Sequence, residues 1–185
     1  MKKFTTTFER FYCYYPMSVT VISVKYGTKE NLMPAAWTSP LSFDPPLIGI
    51  AISPKRYTHE LVKLAGEFTA NFFDYKFIQK IAQCGSVSGR EVDKFKEFGL
   101  TQGKPQLIQS PFVEEAYSAL ECKLERIETY GDHDLFVGKV LGIHYEDGIY
   151  DENGLLRFDK VRPAMYMGVD YYFTADPESK VKIAR

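Results

Sequence analysis

A chain of 185 residues with 45% hydrophobic and 15% aromatic side chains is long enough to bury one sizeable core, and no Gly/Ser- or Pro-rich linker divides it, so residues 1–185 read as a single domain. Its 23 basic and 24 acidic residues leave a formal charge of −1 with no basic run or arginine stripe, which argues against a nucleic-acid partner. No apolar run approaches the ~20 residues needed to cross a bilayer, and the N-terminal MKKFTTTFERFYCYYP interrupts its apolar residues with Thr, Glu and Arg, unlike a signal peptide; a cytoplasmic protein with no membrane partner is expected.

Residues 17–26, MSVTVISVKY, are rich in β-branched side chains, show no helical period and end at the Gly27 turn, which predicts a strand. Residues 31–46, NLMPAAWTSPLSFDPP, have the length and alternation of a strand but carry Pro34, Pro40, Pro45 and Pro46, and proline cannot donate to a sheet ladder. LIGIAIS, residues 47–53, is a short apolar run between Pro-Pro and Ser-Pro and reads as a buried strand. In THELVKLAG, Thr58 reads as an N-cap, Leu61, Val62, Leu64 and Ala65 as an apolar face, and Gly66 as the terminator of a short helix. EFTANFF predicts another strand and YKFIQKIAQC a second short helix.

Residues 85–111 are irregular, with one short helical turn, and excursions of this length inside a domain are often functional or mobile. AYSALECKLERIETYG then sets Leu120, Cys122 and Leu124 against Glu121, Lys123 and Glu125, which predicts a long strand with one wet face. DLFVGKVLGIHYEDG reads as its antiparallel partner across residues 130–133, with bends or bulges at Gly138 and Gly142. Short helices and no strand–helix alternation predict a mainly β fold, an antiparallel barrel or sandwich with helices on its flanks. Cys13, Cys84 and Cys122 are odd in number and lack CxxC spacing, so they read as buried or indifferent thiols.

Three segments carry candidate chemistry. If residues 31–46 alternate, Ala36, Thr38 and Ser42 form a small polar face opposite Met33, Ala35, Trp37, Ser39 and Leu41. Either the prolines only blunt an edge strand, or they free backbone groups for the edge of a flat heteroaromatic ring. In SPKRYTHELV, Lys55 and Arg56 precede a helix N-terminus, where cations are mildly unfavourable. Either this is a solvated loop, or an anion such as phosphate is held there with Ser53 and Thr58. In GDHDLFVGKV, His133 stands between Asp132 and Asp134, as an exposed turn residue or as a proton donor or cofactor contact. His59 and His144 look structural, and no histidine pair has metal-ligand spacing. With no GxGxxG, P-loop, GxSxG or HExxH, a nicotinamide, if used, is not held by a Rossmann domain.

Taken in order, NLMPAAWTSPLSFDPPLIGIAIS, PKRYTHELVKLAGEFTANFF, SGREVDKF and GDHDLFVGKVLGIHY resemble the flavin reductase-like family with the FMN-binding split β-barrel, most closely its flavoredoxin-like branch, over residues 15–171. The resemblance implies a six-stranded antiparallel Greek-key barrel with short flanking helices, forming a homodimer with FMN near the subunit interface. It implies that Ala36, Trp37, Thr38 and Ser39 contact the isoalloxazine ring, that Ser53, Lys55, Arg56, Tyr57 and Thr58 hold the ribityl phosphate, and that Asn71, Phe72 and Phe73 line the pocket. His133 matches a histidine near the ring or the incoming nicotinamide and stands as a catalytic helper. Residues 86–90, Ser88 among them, and 93–95 match a mobile segment beside the cofactor. The implied activity is an oxidoreductase that takes hydride from NADH or NADPH and passes electrons to free flavin, a ferric complex or a redox protein. The alternative is an FMN electron carrier without NAD(P)H turnover.

Overall fold

The computed structural model describes residues 1–6 and 13–183; the central part of the N-terminal stretch discussed above, residues 7–12, lies outside them. In chain order the strands and helices are β1 (Met17–Ser18), β2 (Thr20–Tyr26), β3 (Lys29–Ala35), β4 (Thr38–Phe43), β5 (Pro46–Ile52), α1 (Tyr57–Ala65), β6 (Glu67–Phe72), α2 (Ile78–Ser86), α3 (Lys94–Glu97), β7 (Gln102–Gly103), β8 (Phe112–Val113), β9 (Ser118–Tyr130), β10 (His133–Tyr145), β11 (Met165–Gly168) and β12 (Tyr171–Phe173). A 3₁₀ turn, Tyr75–Phe77, leads into α2. The fold is mainly β and antiparallel, as the strand-rich sequence predicts.

Seven strands form the main sheet in the order β3-β2-β6-β9-β10-β5-β4. The count follows from the proline-rich stretch, which reads as one damaged strand but divides into β3 and β4. These two strands are the opposite edges of the sheet, yet only Ala36 and Trp37 separate them. Three Cα steps span at most about 11 Å, so the sheet must curl until its edges nearly meet. The edges approach without laddering, and the result is a barrel split along the line where residues 36–37 cross. The alternation expected through this segment therefore fails twice, at the crossing and at a register shift between Pro40 and Ser42.

The barrel interior holds Ile22, Val24, Ile50, Ile52, Phe68 and Phe136, all at most 1% exposed, closed at one end by Leu61 and Val62 of α1. Each large side chain so buried stabilises the fold by roughly 1.5–3 kcal/mol. Gly66 ends α1 at φ 65°, its N–H donating to the Val62 carbonyl, a left-handed position that favours glycine. Two details of α1 differ from expectation. The N-cap position belongs to Arg56, with no side-chain cap, because the Thr58 hydroxyl is turned inward to Asn31. Leu64 faces solvent, 49% exposed.

The β9–β10 hairpin forms as expected, with register shifts at Val137/Gly138 and Val140/Gly142. Its outer face is not all wet, however, since Glu121 is 1% exposed. Glu67, Thr69 and Asn71 alternate along β6, and with Glu121 on β9 they face the excursion between α3 and β9. Glu67 accepts from the amides of Gln109 and Ser110 (2.6 and 3.0 Å), and Thr69 donates to the Ser110 carbonyl (2.8 Å). Glu121 accepts from the amides of Gln106 and Leu107 (both 2.7 Å). Buried loop backbone needs partners, and this row of polar side chains supplies them.

Candidate functional site

A cleft opens where the barrel is split, in two joined recesses. The first, about 510 Å³, is walled by Ala36 and Trp37 from the crossing segment, Ser53, Lys55 and Arg56 from the β5–α1 connection, His133 at the start of β10, Tyr15, and Tyr166 of β11. Trp37 stands 4.6 Å from the His133 ring, the planes inclined at 42°, and its Nε1 donates to the Tyr15 hydroxyl at 3.0 Å. The Trp37 carbonyl is occupied by the Ala51 amide (2.9 Å), which fixes the crossing segment against β5.

His133 shares its Nδ1 with an Asp132 oxygen at 2.8 Å, and that contact holds the Asp132 carboxyl below its usual range. The other flanking carboxylate turns away. Asp134 pairs with His59 Nε2 at 2.7 Å and accepts from the Thr129 hydroxyl at 2.7 Å. Thus only one of the two neighbouring aspartates reaches the His133 ring, because successive strand residues face opposite sides of the sheet.

The second recess, about 280 Å³, lies beyond Lys55 and Arg56, which line both. Tyr57 and Thr58 of α1, Asn31 of β3, Ser88, Gly89 and Lys94 complete it. Among the described residues three cations and no carboxylate line this recess. Lys94 is 5% exposed; its Nζ donates to the carbonyls of Leu32 (2.8 Å) and Cys84 (2.6 Å). Burial pushes the Lys94 ammonium down from its ordinary value, and Arg56 adds to the shift. Thr58 Oγ1 accepts from Asn31 Nδ2 at 2.8 Å, which leaves the hydroxyl proton free to donate. Asn31 Oδ1 is buried without a partner among the described residues. A Cβ on Gly89 would stand 2.0 Å from that oxygen, so only glycine fits against it.

The structure brings Ala36, Trp37, Ser53, Lys55, Arg56, Tyr57, Thr58, Ser88 and His133 to this one cleft. It does not bring Thr38 and Ser39, which run away along β4, where Ser39 Oγ donates to the Pro40 carbonyl. Nor does it bring Asn71, Phe72 and Phe73, and the assignment of these three to the pocket lining is corrected. Asn71 is fully buried, donating to the Val21 carbonyl and Ser23 Oγ and accepting from the Val113 amide at 2.8 Å. Phe72 packs near Tyr117, and Phe73 lies in the core under α2. In the 93–95 segment only Lys94 lines the cleft, while Asp93 caps α3 by accepting from the Lys96 amide and Phe95 joins the core. Asn31, Tyr15 and Tyr166 are not singled out by the sequence, and Lys94 enters only through the resemblance of residues 93–95 to a segment beside the cofactor. Nothing local marks them, because each reaches the cleft from a separate element. No metal-binding cluster exists among the described residues.

The joined recesses suit an elongated ligand with a flat end and an anionic end: aromatic rings at one end, three cations and a free hydroxyl proton at the other. The partnerless Asn31 oxygen needs a donor, which a polyol chain between those ends would supply.

Comparison with known proteins agrees with this geometry. Residues 11–173 match the flavin reductase like domain. An uncharacterized protein of Aeropyrum pernix is 34% identical over 155 residues, 83% of this chain and 58% of its own length, so the chain spans less than two thirds of that relative. Among solved structures, an FMN-binding protein from Thermus thermophilus with bound 1-cyclohex-2-enone is 36% identical, with a TM-score of 0.87 over 98% of this chain and 100% of that one. Flavoredoxin from Methanosarcina acetivorans is 27% identical, with a TM-score of 0.85 over 98% of this chain and 95% of that one.

Proposed function

Because the chain belongs to the flavin reductase-like domain family, we propose that it is an FMN-binding oxidoreductase that takes electrons from NADH or NADPH and passes them to free flavin, a ferric complex or a redox protein. The observation that carries this reading is the recess lined by Lys55, Arg56 and Lys94 with, among the described residues, no carboxylate. Three like charges together are unfavourable until an anion joins them, and a phosphate dianion offsets the cost. Lys55, Arg56, Lys94 and the Thr58 hydroxyl would hold the phosphate, and Asn31 Oδ1 would accept from a ribityl hydroxyl. FMN, when bound, supplies two-electron chemistry that no side chain offers.

The remaining residues bind, orient and exclude water. Trp37, pinned by Tyr15 and inclined against the His133 ring, would close one side of the ring site. His133, oriented by Asp132, would present Nε2 as a hydrogen-bond partner and help a proton reach the ring edge. A homodimer working in the cytoplasm fits this reading. Among the described residues no helix is long and apolar enough to cross a membrane.

A second reading, an FMN electron carrier without nicotinamide turnover, is favoured by the Trp37–Tyr15–His133 screen and by the likeness to the Methanosarcina flavoredoxin. Purification and anaerobic mixing separate the two. A yellow protein bleached by NADH or NADPH supports the oxidoreductase; bleaching by dithionite alone supports the carrier. A colourless protein that takes up no added FMN removes both.

A further inference from the structure

A third and larger recess, about 930 Å³, adjoins the aromatic end of the cleft and shares Pro34, Ala35, Ala36 and Tyr166 with it. We propose that this recess binds a neutral, flat aromatic carbonyl compound of the quinone class, which accepts the electrons. The acceptor role rests on the FMN reading above. Its shape comes from the walls: Ile78 and Ala82 of α2 on one side, and Tyr75, Tyr166, Tyr171 and Tyr172 around them. Aromatic and aliphatic walls favour a planar apolar body. Gln79 and Gln83, one helical turn apart on α2 and both in the lining, offer uncharged amide donors suited to carbonyl oxygens.

Charge decides between ligand classes. Among the described residues no Lys, Arg or His lines this recess, whereas Asp170 does; the adjoining cleft holds Lys55 and Arg56. An acceptor bearing phosphate, sulfonate or carboxylate would meet repulsion and no counter-charge. Asp170 occupies its position at a backbone cost. Val169 and Asp170 have φ of 50° and 59° in the β11–β12 turn, a pair of left-handed positions that normally takes Asn-Gly. Strain of this kind persists where the surroundings hold it, and here the Asp170 amide donates to the Tyr166 hydroxyl at 3.3 Å, on the wall shared by the two recesses. The Asp170 charge is also felt inside: the Tyr172 hydroxyl is pushed up by burial, then by Tyr166 and Asp170. In the acceptor role a quinone gains two electrons and two protons and leaves as the hydroquinone. The nicotinamide supplies both electrons and one proton, and solvent supplies the other.

The test is equilibrium dialysis of the purified protein in excess FMN, so that the cationic cleft is filled wherever it takes the flavin phosphate, against a matched pair, 2-(hydroxymethyl)anthraquinone and anthraquinone-2-sulfonate. The neutral compound is expected to bind at least tenfold more tightly. Ala82→Trp, which fills the recess, should cost at least tenfold in neutral-quinone affinity while flavin content stays unchanged. Asp170→Lys, at the turn, should raise sulfonate affinity at least fivefold. Equal binding of the two compounds by the unmodified chain, or unchanged binding by Ala82→Trp, overturns the proposal. So does absence of quinone binding accompanied by a change of oligomeric state in Ala82→Trp, since a second copy would then cover the recess. A protein that takes up no FMN and still prefers the neutral quinone supports the recess and removes the flavin reading; one that takes up FMN and binds neither compound does the reverse.

Discussion

Lys94 and Glu121 are both charged, both nearly inaccessible at 5% and 1% exposure, and both lie beside the same excursion of chain, yet their surroundings differ. Glu121 is matched from within the fold, by two loop amides and by His144 Nε2 at 2.6 Å. Burial alone would raise its carboxyl, but the Gln106 amide, the His144 ring and the Leu107 amide together hold it below its ordinary range. Lys94 has two backbone carbonyls and, among the described residues, no carboxylate within ion-pair distance. Its ammonium therefore carries a desolvation cost that the protein does not offset. A buried charge fully matched by its own chain serves the fold, and one left half matched at a cleft wall points to a ligand.

The largest effect should come from the matched ion. Glu121→Ala leaves two loop amides and His144 without their acceptor and should lower the unfolding free energy by roughly 3–5 kcal/mol in urea titrations; a loss below about 1 kcal/mol would remove Glu121 from its strapping role. Lys94→Met should leave stability largely intact, the lost desolvation cost offsetting the two lost carbonyl contacts, and harm the ligand instead. FMN affinity measured by fluorescence titration should weaken by roughly 1.5–3 kcal/mol, while the FMN-free protein becomes no less stable. A destabilised FMN-free variant with normal FMN affinity would make Lys94 structural and dissolve the contrast. Replacing Lys55 and Arg56 together by alanine should also weaken FMN retention, by roughly 1.5–3 kcal/mol per lost charged hydrogen bond.

The two ions also titrate in opposite senses. Lys94 is depressed below 10.5, so the unfolded chain holds its proton over a range where the folded chain has lost it. FMN-free stability should therefore gain from Lys94 as pH rises through its folded value towards 10.5, while FMN affinity falls across the same range. The Glu121 carboxyl is depressed below 4.5. Its contribution is present above 4.5 and is lost as pH falls through the folded value. Urea midpoints against pH should lose the alkaline gain in Lys94→Met and the acid loss in Glu121→Gln; unchanged profiles in both would refute the assignment. The smallest change is expected from Thr58→Val, which removes one hydroxyl donor and should weaken FMN by about 1 kcal/mol, read by the same titration.

The elements were largely legible because their signals are local. A β-branched run marked β2, a short apolar run between prolines marked β5, alternation marked β9, and glycines marked both register shifts of β10 and the end of α1. Of the candidate site, Lys55, Arg56 and Thr58 could be read because they adjoin one helix start, and His133 because it opens a strand between two aspartates, whereas Tyr57 and Trp37 entered only through the family resemblance. Asn71 misled because a polar residue in an apolar strand signals a need for partners but not which partners; its partner proved to be the folded-over loop at Val113.

By itself the sequence determined where most strands and helices lie and that the two longest strands form a hairpin, since strand and helix periodicities depend only on near neighbours. What the tertiary structure alone decided is the consequence of closure. Two strands adjacent in sequence became opposite edges of one sheet, and the two residues between them became the wall of a cleft. Asn31, Lys94 and Tyr166, far apart along the chain, met at that cleft because the curled sheet brought their elements together. Whether a charge is buried, and whether its partner comes from the chain or must come from outside, depends on distances that no local pattern encodes.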